Sequence, residues 1–131
     1  MGLRETLLEN NYSIVASNGY FSCESGIRPV IDRINEKKDY FKDLEVADKI
    51  IGKAGAMLLT LSGVKKVHAI VLSEAGKEIF ERYGVEYTCD TLTDYIVNRR
   101  GDGMCPMEMT VKDIDDLEEA YEALRKKTAL H

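Results

Sequence analysis

The stretch Val46 to Gly63 (VADKIIGKAGAMLLTLSG) constrains the fold more than any other part of the chain. Ala47, Ile50, Ile51, Ala54, Met57, Leu58 and Leu61 recur at three- and four-residue steps, a wide apolar stripe that predicts one buried helix. Asp48 falls in its first turn, where the positive end of the helix dipole favours a carboxylate. Gly63 is a stop just past its end. The opposite side carries Lys49, Gly52, Lys53 and Ala56 as neighbours at helical spacing. A glycine inside a helix costs up to about 1 kcal/mol relative to alanine. Gly52 and Gly55 therefore imply that a backbone or a ligand comes close at this side.

The flanking segments supply a sheet. Ser13–Ser17 and Tyr20–Glu24 read as two short strands joined by Asn18-Gly19, a hairpin signal because both residues tolerate positive φ. Leu3–Glu9 reads as a short helix before them. Ser25 is placed to cap a helix with Pro29 in its first turn and Ile27, Val30, Ile31 and Ile34 facing inward. In the charged loop from Lys37 to Asp43, Tyr40 and Phe41 are the expected anchors. Val67–Leu72 is a nearly continuous apolar run, the pattern of a strand buried on both faces. Ser73 caps a following helix to Tyr83, Gly84 ends it, and Val85–Cys89 is a further strand. Thr91 is read as the cap of a helix through Val97, and Thr110 as the cap of a last helix carrying Val111, Ile114, Leu117, Tyr121 and Leu124. The strand–helix–strand unit around Ser73 should be parallel and right-handed. The expected fold is α/β: a three-layer sandwich with a mixed sheet of about four strands.

With 131 residues, 44% of them hydrophobic, the chain suits one domain with a real core. A net charge of -5 and short, scattered basic clusters argue against general nucleic-acid binding, which needs a basic stripe. No apolar run approaches the roughly 20 residues of a membrane span, and the polar start MGLRETLLENN is unlike a signal peptide. Cys23, Cys89 and Cys105 form neither a disulfide framework nor a C-x-x-C pair, so they are read as reduced thiols of a cytoplasmic protein.

The runs Ser25-Gly26-Ile27-Arg28-Pro29, Ala47-Asp48-Lys49-Ile50-Ile51-Gly52-Lys53-Ala54, Leu72-Ser73-Glu74-Ala75, Asn98-Arg99 and Cys105-Pro106-Met107-Glu108 span nearly the whole chain. In them the chain resembles a small domain-of-unknown-function family placed in the cytidine-deaminase-like superfamily. The resemblance implies the fold, and it implies no activity. A zinc deaminase needs H-x-E or C-x-E at one helix start and P-C-x-x-C at the next. Here the two places read Ala47-Asp48-Lys49 and Ser73-Glu74-Ala75-Gly76, with no His or Cys. No metal ligands and no cofactor are therefore expected.

The superfamily geometry brings the two helix starts together at one sheet edge, where free amides and dipole ends favour an anion. Asp48, Lys49, Ser73 and Glu74 are expected to meet there. Lys53 offers a second ammonium, and Arg28, Asn98 and Arg99 are the closing contacts. The expected function is a deaminase-like domain binding a small anionic, nucleotide-like metabolite. The alternative is an enzyme using Cys105 as nucleophile or redox thiol with Asp48 or Glu108 as acid/base. A third reading is an interaction module built on the acidic segment Asp113 to Glu122. Homo-oligomers are compatible with a domain this small.

Overall fold

The computed structural model describes residues 2–97, 100, 101 and 103–129. Its sheet has five strands in the order β2-β1-β3-β4-β5: β1 (Ile14–Ala16), β2 (Phe21–Ser22), β3 (Glu45–Ile51), β4 (Lys66–Ser73) and β5 (Glu86–Thr93). β1 runs antiparallel to β2 and β3, while β3, β4 and β5 are parallel. The sheet is thus mixed, with five strands instead of four. The helices are α1 (Leu3–Glu9), α2 (Arg28–Glu36), α3 (Lys53–Leu61), α4 (Glu74–Tyr83), α5 (Pro106–Val111) and α6 (Leu117–Ala129).

The main correction falls on the most patterned stretch. Val46 to Gly63 is not one helix but strand β3, a break at Gly52, and helix α3. The VADKII run satisfies a helical spacing by coincidence. It also has the β-branched Val46, Ile50 and Ile51, and a strand on either side accepts its backbone groups: Ile14 pairs with Asp48, and Val46 pairs with Val67. Two neighbouring strands outweigh a propensity difference of a few tenths of a kcal/mol per residue. Asp48 therefore lies mid-strand and does no capping.

Three further boundaries move. Ser25 caps nothing; α2 starts at Arg28 without a side-chain cap, although Pro29 does sit in its first turn. Thr91 begins no helix, because β5 continues to Thr93 beside β4. Thr110 lies inside α5 and donates its hydroxyl to Pro106 O at 2.9 Å. The last helix begins instead behind Asp116, whose carboxylate accepts the Glu119 N–H at 2.8 Å. The locally signalled turns are as expected: Gly19 (φ +95°) closes the hairpin and Gly84 (φ +69°) terminates α4.

Side chains alternate across a strand, and the alternation separates two cores. Ile14, Ala16, Val46, Val67 and Ala69 face the large one, which α2 through α6 complete with Ile31, Leu58, Phe80, Val111 and Leu124. Phe41, wholly buried, anchors the Lys37–Asp43 loop in this core, and its N–H donates to Ser62 Oγ. Val15 and Ala47 face the other way and meet Leu7 of α1. Among the described residues, helices thus cover both faces, five on one and one on the other. No helix among the described residues is long and apolar enough to cross a membrane.

Candidate functional site

β3 and β4 each end by feeding a helix, so α3 and α4 begin side by side at the carboxyl ends of parallel strands. The two starts are closely apposed: a Cβ added at Gly76, in the first turn of α4, would come within 3.1 Å of Gly52 O. In α4 the cap is local. Ser73 Oγ, fully buried, accepts the Gly76 N–H at 3.0 Å.

In α3 no local side chain caps the helix. Glu108, from the first turn of α5, does it instead. Its carboxylate accepts the N–H of Lys53 at 2.6 Å and of Ala54 at 2.8 Å. A Cβ at residue 52 would lie 2.2 Å from Glu108 Oε1, so only glycine leaves room for this carboxylate. Burial holds the Glu108 carboxyl above the usual range, opposed by the hydrogen bonds from Ala54 and Lys53 and by the Lys53 charge. The anion-binding start of α3 is therefore occupied by an anion of the same chain. Gly55 meets only Ile51 Cγ2 at an ordinary 3.6 Å, and nothing comes unusually close there.

Beside these helix starts opens a cleft of about 320 Å³. Lys53, Ser73 and Glu108 line it, with Glu78, Ile79 and Arg82 of α4, Asp94 and Tyr95 after β5, Met104, Lys112 and Asp115. Lys53 is the least exposed cation here, its side chain 13% accessible. Its ammonium donates to Lys112 O at 3.0 Å and stands 3.9 Å from the Asp115 carboxylate, beyond a hydrogen bond. An ammonium has three donors, so Lys53 retains donors for the cleft. Arg82 is engaged by Glu78 at 3.0 Å and Asp115 at 3.6 Å.

The other expected site residues lie elsewhere. Lys49, on the α1 side of the sheet, donates its ammonium to Asn11 Oδ1. Asp48, half-buried in β3, accepts the Ile50 N–H at 3.2 Å, and burial pushes its carboxyl up to about 7. Neither lines the cleft. Arg28 donates to Thr128 O at 3.0 Å, in the last turn of α6. A cation misplaced at the start of one helix thus serves the negative end of another. Cys105 is the half-buried N-cap of α5, its N–H donating to Ile96 O at 2.8 Å. His68 is no partner for it. The imidazole projects from the opposite face of β4, where it contacts Thr88 Oγ1 at 2.5 Å and Asp90 Oδ1 at 2.9 Å. Asn98 and Arg99 lie outside the described residues. Among the described residues, no three His, Cys, Asp or Glu side chains gather as metal ligands.

Arg82, Tyr95 and Lys112 escaped the sequence reading. The Glu78–Arg82 spacing of four was a visible helix-face pair, but Tyr95 was hidden by the false helix after Thr91, and Lys112 is placed by the α5–α6 turn.

Comparison with curated proteins gives no match. Among solved structures, the crystal structure of a DUF1893 family protein (TM1506) from Thermotoga maritima at 2.70 Å resolution superposes with a TM-score of 0.86. It is 26% identical, and the match covers 95% of this chain and 86% of that one. The family profile described as "TM1506: Domain of unknown function (DUF1893)" matches residues 2–128. Carrying that match over almost its whole length, the chain belongs to the TM1506 (DUF1893) family of domains of unknown function.

Proposed function

We propose that this domain binds a small anionic metabolite in the cleft beside the starts of α3 and α4. The carrying observation is Lys53: a largely buried ammonium with donors to spare, at the carboxyl ends of parallel strands, where open α/β sheets take their ligands. Because Glu108 fills the amides of α3, the ligand's anionic group is met by the Lys53 ammonium and not by the helix start. Tyr95 offers a ring face, and Asp94 and Asp115 suit a second, donor-bearing part of the ligand. The parallel β3–α3–β4–α4–β5 unit supports reading the fold as cytidine-deaminase-like, and that analogy favours a nucleotide-like ligand.

The test is a thermal-shift panel of nucleotides, nucleosides, inorganic phosphate and small carboxylates. A ligand at tenfold its Kd should raise Tm by roughly 5 °C. Lys53→Met should abolish the rise, whereas Lys49→Ala, on the other face, should leave it intact. Failure of every compound, or a rise indifferent to Lys53→Met, rejects the reading.

A further inference from the structure

The sheet ends in two unlike edges. β2 presents two residues, Phe21 and Ser22, whereas β5 presents the whole of Glu86–Thr93. Among the described residues, the backbone of β5 is hydrogen-bonded to β4 and to nothing else. Exposed edges are usually blunted by shortness, lysine, proline or a bulge. EYTCDTLT is long for an edge and has neither lysine nor proline; its charges are the carboxylates of Glu86 and Asp90, the latter paired with Arg4. Leu92 within the strand is an exposed apolar side chain, as are Tyr83 before the strand and Tyr95 and Val97 after it.

We propose that β5 pairs antiparallel with β5 of a second copy of this chain, joining two five-stranded sheets into one. A two-fold axis makes one surface complement itself, so both copies satisfy the same unpaired groups. Antiparallel geometry then restricts the register. Residues directly opposite one another aim their backbone groups the same way, either both toward the seam or both away. These orientations alternate along a strand, so the axis must pass through a residue. An axis at Thr88 sets Glu86 against Asp90, and an axis at Asp90 sets that carboxylate against itself. Both oppose like charges, which destabilises a ladder. An axis at Cys89 pairs all of residues 86–92: Glu86 with Leu92, Tyr87 with Thr91, Thr88 with Asp90, and Cys89 with its own copy. It is the longest register that opposes no like charges. Each Asp90 also keeps its own counter-ion, Arg4 at 2.7 Å.

The register is directly testable on the full chain. Directly opposed residues have Cβ atoms about 4.5–5.5 Å apart, so a short bismaleimide should link the dimer through Cys89. The link should persist in Cys23→Ser and Cys105→Ser and vanish in Cys89→Ser. Sedimentation should show a dimer that Leu92→Glu weakens about tenfold, because symmetry sets the new carboxylate against Glu86 twice. Leu92→Lys, which gains Glu86 as a partner, should associate as tightly as the parent or more so. Leu92 is exposed, so neither change disturbs the monomer core. A monomer at every concentration overturns the proposal. So does a dimer that links without Cys89, or one that both Leu92 variants weaken alike.

Discussion

The two helix starts at the cleft solve one problem in opposite ways. α4 is capped by Ser73, three residues from the amide it serves. α3 is capped by Glu108, which reaches across 55 residues of chain to Lys53 and 54 to Ala54. The local cap uses a neutral hydroxyl and one hydrogen bond. The distant cap uses a buried carboxylate, two charge-assisted hydrogen bonds and a glycine shaped to receive it. A local cap stabilises its own helix. A distant cap also ties α5 to α3, and so makes the cleft wall depend on the start of α3.

The contrast predicts a clear order of mutational cost. Glu108→Ala should be the most damaging, at about 3 kcal/mol in urea denaturation, because it leaves the buried Ala54 amide and the part-buried Lys53 amide without an acceptor. Gly52→Ala should approach but not exceed that loss, since its Cβ forces the carboxylate off the same amides. In the Glu108→Ala background the glycine substitution should cost about 0.5 kcal/mol or less, a strong coupling in a double-mutant cycle. Additive losses would break the claim that the glycine exists for the carboxylate.

A second, half-buried carboxylate sharpens the comparison. Asp48 has two backbone donors on its own strand, Ile50 and Lys49, against which burial still pushes its carboxyl up to about 7 from 3.8. The folded chain therefore holds this proton more tightly than the unfolded chain does. The resulting stabilisation is complete below about pH 4 and is lost as pH rises through 7. Asp48→Asn should flatten the stability profile over that window and leave the protein more stable than the parent at about pH 8, by about 2 kcal/mol after allowing for its partial exposure. Glu108, also raised by burial, adds a slope of the same sign. An unchanged profile would mean that Asp48 is solvated in solution.

Ser73→Ala should cost least, about 1 kcal/mol. A loss as large as that of Glu108→Ala would erase the distinction between local and distant caps.

Legibility in the sequence follows the same division. Ser73, Gly84 and the Asn18-Gly19 turn were readable because cap, stop and turn chemistry acts over three or four residues. The glycine beside Lys53 marks it in the sequence, though for a helix that begins seven residues earlier than α3 does. Glu108 stands out in the sequence only as a candidate acid/base, whereas the helix it serves is α3, far away in sequence. Arg28 is expected from the sequence to close over the helix starts, but its partner, Thr128 O, lies a hundred residues away. The acidic segment Asp113 to Glu122 runs into α6, which buries Ala120 and Leu124 in the core and leaves Glu118, Glu119 and Glu122 exposed.

What the chain's residues determined unaided was the α/β class, the hairpin and the parallel β4–α4–β5 unit. These depend on periodicity, turn chemistry and residue identity, all local quantities. Tertiary structure alone decided that VADKII is a strand, because its helical and extended readings differ by less than the pairing offered by β1 and β4. It decided equally that the anion at the start of α3 is Glu108, because sequence carries no record of which distant side chain will reach a freed amide once the core has closed.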